Sequence, residues 1–227
     1  MSGAQGMSGS AQILVIAKEP VPGRVKTRLT PPFTPAEAAL LAEAALTDTL
    51  ATVAATPVAR RVLALDGAAG DWLPAGFDMV GQRGGGLDER LAAAFADVYA
   101  TEPLPMVLIG MDTPQVTQEL LTEAAGTLTE GEADAVFGPA SDGGFWLLGL
   151  RRPDRSLLAG VPMSRPDTGR RQLDRLTEAG LRVALMPELT DVDTAREAEL
   201  VADAIPGSAF AAVYGLAVTS RMAHAVA

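Results

Sequence analysis

Cysteine and asparagine are absent from the 227 residues, and histidine occurs once, at His224, three residues from the end. Without cysteine there is no disulfide scaffold, no thiolate metal site and no cysteine nucleophile, and a reducing compartment suits the chain. One histidine in an alanine-rich tail excludes serine-histidine catalysis and histidine-rich metal sites. Chemistry must therefore run on carboxylates, lysine, arginine and hydroxyls, with or without a hard cation. Positive charge is also scarce: the net charge is -10, which argues against general binding of nucleic acid or of an anionic membrane. No apolar run reads as reaching the roughly 20 residues of a spanning helix. Residues 1–11, MSGAQGMSGSA, lack the basic and apolar regions of a signal peptide and read as a disordered leader. These features predict a cytoplasmic protein.

Against that background, residues 13–29, ILVIAKEPVPGRVKTRL, put a short apolar strand before a Pro/Gly loop carrying Lys18, Arg24, Lys26 and Arg28. The chain has two lysines, both in this loop, and sixteen arginines. An ammonium is a compact point charge that fits beside a phosphate where a planar guanidinium forks differently. The loop reads as an anion site at the carboxyl end of a first strand, the usual ligand position of an open α/β sheet. A solvated basic loop is the alternative.

Strand-like and helical runs alternate along the chain, which predicts an α/β fold, a mainly parallel central sheet flanked by helices. Strands are expected at 12–17, 60–65, 77–82, 106–110, 134–140, 145–150 and 182–187. Thr34-Pro35-Ala36-Glu37 is a capping box that opens a helix of about 20 residues, and Thr194 with Glu197 makes a second box. Further helices are expected at 88–100, 117–129 and 168–179. One domain spans about 12–205. Residues 206–227 form an apolar tail able to pack on the domain or on a second copy, as a homodimer.

Polar clusters follow four of these strands: the basic loop, Asp112, Asp142 and the pair Asp191 and Asp193. In an α/β sheet they converge on one edge, where carboxylates opposite lysines suit a magnesium ion bridging protein oxygens and a polyphosphate. Each has a plainer reading. Asp112-Thr113-Pro114 serves as a turn with a helix cap, Asp193 or Thr194 as an N-cap, Asp142-Gly143-Gly144 as a hairpin turn, and Gly84-Gly85-Gly86 as a flexible loop. Gly23-Arg24-Val25-Lys26-Thr27 is not a P-loop, for it lacks the Gly-Lys-Thr adjacency, and the Gly81–Gly86 run lacks dinucleotide-fingerprint spacing.

Taken in order, Lys18 with Gly23-Arg24-Val25-Lys26-Thr27-Arg28-Leu29, the Gln82/Gly85/Leu87/Arg90 pattern, Gly110-x-Asp112-x-Pro114, Asp142-Gly-Gly-Phe-Trp-Leu-Leu-Gly149 and Asp191-x-Asp193-Thr194 resemble a known group. They are similar to the phospholactate guanylyltransferases, and more closely to a bacterial glycosyltransferase-like group, of the nucleotide-diphospho-sugar transferase superfamily with the single-domain, Rossmann-like GT-A fold. The resemblance covers residues 12–205. It implies that Lys18, Gly23, Lys26, Thr27 and Arg28 hold nucleotide phosphates while Gln82, Gly85 and Gly86 meet the base. Asp112, Asp191 and Asp193 become ligands of Mg2+ or Mn2+. Asp142, Gly143, Gly144, Phe145 and Thr168 line the acceptor pocket, and Lys26, Arg28, Asp112 and Asp142 carry catalysis. Ser164-Arg165-Pro166-Asp167-Thr168 departs from the group's aromatic-Ser-Thr element.

Three functions follow as expectations. A magnesium-dependent nucleotidyltransferase would move a nucleoside monophosphate from a nucleoside triphosphate, GTP by resemblance, to a small phosphate- or carboxylate-bearing acceptor. A glycosyltransferase would use a nucleotide sugar, the same metal site and a carboxylate base such as Asp142. A non-catalytic nucleotide-binding protein would keep the fold alone.

Overall fold

The computed structural model describes residues 10–225, with side chains as far as Met222. The expected leader lies, for residues 1–9, outside the described residues. Among these residues seven strands form one sheet: β1 (Gln12–Lys18), β2 (Arg60–Asp66), β3 (Asp78–Gly81), β4 (Met106–Gly110), β5 (Ala135–Pro139), β6 (Phe145–Leu150) and β7 (Val183–Leu185). The order is β3-β2-β1-β4-β6-β5-β7. All neighbours pair parallel except β6, which runs antiparallel to both β4 and β5. The expected mainly parallel α/β fold is the one observed.

The sheet is covered on both faces because side chains alternate along each strand. Ile13, Val15 and Ala17 of β1 point to one face, against Leu46 and Leu50 of α1 (Pro35–Ala55) and Leu121 of α3 (Gln118–Thr129). Leu14 points to the other face, against Leu91 and Phe95 of α2 (Leu87–Thr101) and Leu176 of α4 (Thr168–Glu178). A third cluster lies outside α1, where α5 (Ala195–Ala204) and α6 (Ala209–Ala225) bury Ala198, Val201 and Phe210 against Leu41 and Ala45. Leu29, Phe33 and Val192 belong to it as well. Outer packing therefore reaches both the basic loop and the Asp191-Val192-Asp193 segment.

Both capping boxes form: the Thr34 hydroxyl accepts from Glu37 N and the Thr194 hydroxyl from Glu197 N, with each glutamate bonding back. One finding sharpens the sequence reading and one corrects it. Within the apolar tail, α6 packs on α1, with Ala209 N and Phe210 N donating to the Asp48 carboxylate at 3.0 and 2.8 Å. By length and composition α1 itself could cross a bilayer, contrary to the expectation of no such run. Its capped start and buried inner face instead make it a core helix.

Candidate active site

The carboxyl ends of the parallel strands meet along one edge, and loops from four of them are stitched together there. The backbone of residues 189–192 does most of the stitching. Ser141 N donates to Leu189 O at 2.9 Å and Val192 N to Asp112 O at 2.9 Å. Gln115 Nε2 donates to Thr190 O at 2.6 Å, and Ser141 Oγ to Thr190 Oγ1 at 3.3 Å. On the other side, Lys18 N donates to the Met111 sulfur at 3.3 Å. These bonds bring Asp112, Asp142, Asp191 and Asp193 onto one edge beside the basic loop.

Lys26 lies at the middle of that group. Its Nζ is 2.8 Å from Asp112 Oδ2 and 3.0 Å from Asp193 Oδ1, and its side chain is 8% exposed. Arg28 Nη1 holds the other oxygen of Asp193 at 3.0 Å. Burial alone would lower the Lys26 pKa, but Asp112 and Asp193 outweigh it and hold the ammonium above its ordinary value. Asp193 is the converse: burial pushes its carboxyl up, and the two cations hold it below the usual range. The Lys26 backbone is left-handed, φ 47° and ψ 39°, a conformation rare outside glycine.

Asp191 is half-buried and has no such cation in contact. Burial first, then the charges of Asp112 and Asp142, push its pKa up to about 7, against a smaller opposing pull from Lys26. A carboxyl desolvated among like charges is an environment that calls for added positive charge. The oxygen-only donors Asp112, Asp191 and Asp193 fit a hard divalent cation chemically. Among the described residues, however, no three such side chains stand close enough to hold an ion as they are arranged here. The ammonium of Lys26 occupies the point on which two of them converge.

Lys18 and Arg24 differ from Lys26 in making no ion pair among the described residues. With Glu19, Val25 and Asp66 they line a pocket of about 180 Å3 at the end of β1. Asp66 is committed to Arg90 at 2.8 Å. A larger, more open depression of about 570 Å3 runs along α3, lined by Glu119, Glu123, Glu130 and Glu132 among others, and shares no residue with these loops. Gly23 is exposed at φ 76° and Thr27 starts the short 3-10 turn Thr27–Leu29.

The other expected residues show how their loops are built. Both amide hydrogens of Gln82 are spent on backbone, Ala17 O at 2.7 Å and Ala64 O at 2.9 Å, so this side chain braces β1 against β2. Gly85 N donates to Glu89 Oε2 at 2.8 Å, and Gly86 is the N-cap residue of α2. Asp142 Oδ1 accepts from Gly144 N at 2.7 Å within the β5–β6 connection. A Cβ on Gly143 would sit 2.0 Å from Pro166 O, and one on Gly169 would sit 2.2 Å from Gly144 O. Two glycines thus let the start of α4 press onto the Asp142 loop, where Gly169 N donates to Gly143 O at 2.8 Å. The Thr168 hydroxyl is buried, donating to Pro162 O and accepting from Arg165 N. Phe145 packs on Phe137, with ring centres 5.6 Å apart.

Residues 49–165, just over half of the chain, match the family described as "Uncharacterized protein conserved in bacteria (DUF2064)". The chain belongs to the DUF2064 family. No curated protein matches this DUF2064 sequence. Among solved structures it is similar to a protein of Desulfovibrio desulfuricans G20, provisionally named a nucleotide-diphospho-sugar transferase. That match has 28% identity and a TM-score of 0.81, covering 92% of this chain and 94% of the other. Rv0371C of Mycobacterium tuberculosis H37Rv, in complex with manganese, is 20% identical at TM-score 0.52, over 86% of this chain and 98% of its own. The 2-C-methyl-D-erythritol 4-phosphate cytidylyltransferase of Thermus thermophilus is 15% identical at TM-score 0.50, over 93% and 99%. These likenesses agree with the GT-A-type fold that the motifs imply.

Two residues of this edge were missed in the sequence. Gln115 and Thr190 tie the Asp112 loop to the Asp191 segment, yet neither stands in a motif. The only signal was their position, Gln115 three residues after Asp112 and Thr190 directly before Asp191.

Proposed function

We propose that this DUF2064 chain is a magnesium-dependent nucleotidyltransferase that moves a nucleoside monophosphate from a nucleoside triphosphate to a small acceptor bearing a phosphate or carboxylate. The observation that carries the reading is the juxtaposition of two cations, Lys18 and Arg24, without ion pairs among the described residues, around a small pocket with a group of carboxylates on the same edge. Such cations in a protein of charge -10 suit a polyanion, and carboxylates converging beside them suit its metal counter-ion. The cytidylyltransferase and the manganese-bound protein of similar fold lend the reading an analogy.

In this reading Lys18, Arg24 and Arg28 hold the phosphates, and Lys26 joins them when it leaves the carboxylates. The Asp142–Phe145 loop, pinned by Gly143 and Gly169, presents the acceptor. An ionised phosphate or carboxylate attacks the α-phosphorus as it stands, so no general base is needed and a site without histidine or cysteine suffices. Pyrophosphate leaves, its charge met by the basic loop. A divalent cation held by Asp112, Asp191 and Asp193 supplies charge neutralisation on the phosphates when bound. A cytoplasmic setting suits such a substrate.

One observation favours a second reading, glycosyl transfer from a nucleotide sugar: the provisional name of the 28%-identical protein. The products separate the two. Incubation with magnesium, each nucleoside triphosphate or nucleotide sugar, and a panel of small phosphorylated and carboxylic acids should release pyrophosphate from a triphosphate. Release of a nucleoside diphosphate from a nucleotide sugar instead would establish the second reading and reject the first.

A further inference from the structure

Lys26 is asked to do two things at once. The reading above assigns it to phosphates, whereas in the structure its Nζ lies within 3.0 Å of one oxygen each from Asp112 and Asp193. A divalent cation on those same oxygens sits at about 2.0–2.6 Å from each and so takes the place of the ammonium. Two positive charges cannot share that point, and with its side chain 8% exposed Lys26 has little water to retreat into while it stays there.

The surroundings fit an ammonium held in reserve. Its backbone is left-handed, φ 47°, a conformation strained for an L-residue that persists only where other contacts hold it. Arg28 stays on the far oxygen of Asp193, so that carboxylate remains oriented when Lys26 departs. Lys18 and Arg24, free of ion pairs among the described residues, offer a first landing place for phosphate beside Val25, the residue preceding Lys26.

We propose that Lys26 is an internal counter-ion that keeps a lone divalent cation off Asp112 and Asp193. Phosphates arriving at Lys18 and Arg24 draw it away, and the metal enters with the nucleotide rather than ahead of it. The proposal rests on the metal reading of the preceding section. It adds an order of binding that this reading does not require.

The test titrates manganese alone into the full chain, following free Mn2+ by its electron paramagnetic resonance signal, with no nucleotide present. Lys26→Met and Lys26→Gln, each checked for folding by its melting transition, should bind manganese about tenfold or more tightly than wild type. Lys26→Arg, whose guanidinium still forks to both carboxylates, should bind as weakly as wild type. Manganese affinity in the folded neutral variants equal to or below that of wild type, in a protein that binds the ion when a nucleoside triphosphate is present, would overturn the proposal while leaving the metal site standing. No manganese bound by wild type even with nucleotide would remove the site and the proposal together.

Discussion

Gln115 Nε2 donates to the carbonyl of Thr190 at 2.6 Å, so the residue after β4 that follows Asp112 by three fixes the residue that precedes Asp191. The bond ties two of the proposed metal ligands into one frame without touching a ligand itself. Gln115→Leu removes it at similar volume. The expected result is a five- to tenfold loss of magnesium-dependent nucleotide affinity, on the order of 1 kcal/mol, the worth of one hydrogen bond. Magnesium-independent nucleotide binding, carried by the basic loop, should be unchanged, and calorimetric titration with and without magnesium reads both.

Asp191, desolvated beside Asp112 and Asp142, should destabilise the protein when no cation is bound. Its folded pKa, about 7, lies above the ordinary carboxyl value, so the folded state disfavours the ionised form and stability falls as pH rises from about 4 to 7. Asp191→Asn removes that penalty. In chelator-containing buffer the variant should be more stable than wild type at pH 8, by about 1–2 kcal/mol once the screening of a partly exposed group is allowed for. The difference should shrink as pH falls below 7 and approach zero only below about pH 4. Thermal melts of both proteins across that range check it.

Asp134 works in the opposite direction, away from the site. Hydrogen bonds from the Arg182 side chain and backbone hold its carboxyl at about 2. Its contribution is therefore complete above about pH 4 and lost as pH falls toward 2. Asp134→Asn should be less stable than wild type at pH 6, with the gap closing in acid. Urea denaturation at pH 6 and pH 3 measures it.

Gly143 and Gly160 share a positive φ, 87° and 81°, but only Gly143 is crowded. Alanine at 160 should cost about 1–2 kcal/mol of backbone strain alone. At 143 the same strain is joined by a Cβ 2.0 Å from Pro166 O, so the loss should be larger by about 2 kcal/mol or more and should loosen the Asp142 loop. Equal destabilisation of the two variants in denaturant titrations would mean that the start of α4 does not press on that loop.

The elements were legible because their signals are local. Thr34 and Glu37, or Thr194 and Glu197, lie within one helical turn, and the run MVLIG of β4 declares a strand buried on both faces. Alternation of strands and helices declared the mainly parallel sheet, in which β6 turns antiparallel through a short connection. Contacts between loops were not legible. Lys26 and Asp193 are 167 residues apart, and nothing in either neighbourhood says that the ammonium lies between two carboxylates. For the same reason nothing in the sequence shows that both amide hydrogens of Gln82 are bonded to the backbone of β1 and β2. The tail reads as apolar and able to pack on the domain or on a second copy, but which it does was not legible, for part of its start is capped by Asp48, 161 residues away.

The central claim, a metal-assisted nucleotide site at the ends of β1, β4 and β7, is tested most directly by thermal shift. Nucleoside triphosphates and nucleotide sugars would be offered with and without magnesium to wild type, Asp112→Ala and Asp193→Ala, since a ligand that binds the folded state alone raises its melting temperature. The account predicts a magnesium-dependent rise with a triphosphate in wild type and its loss in both variants. A magnesium-dependent rise that survives both substitutions would contradict it.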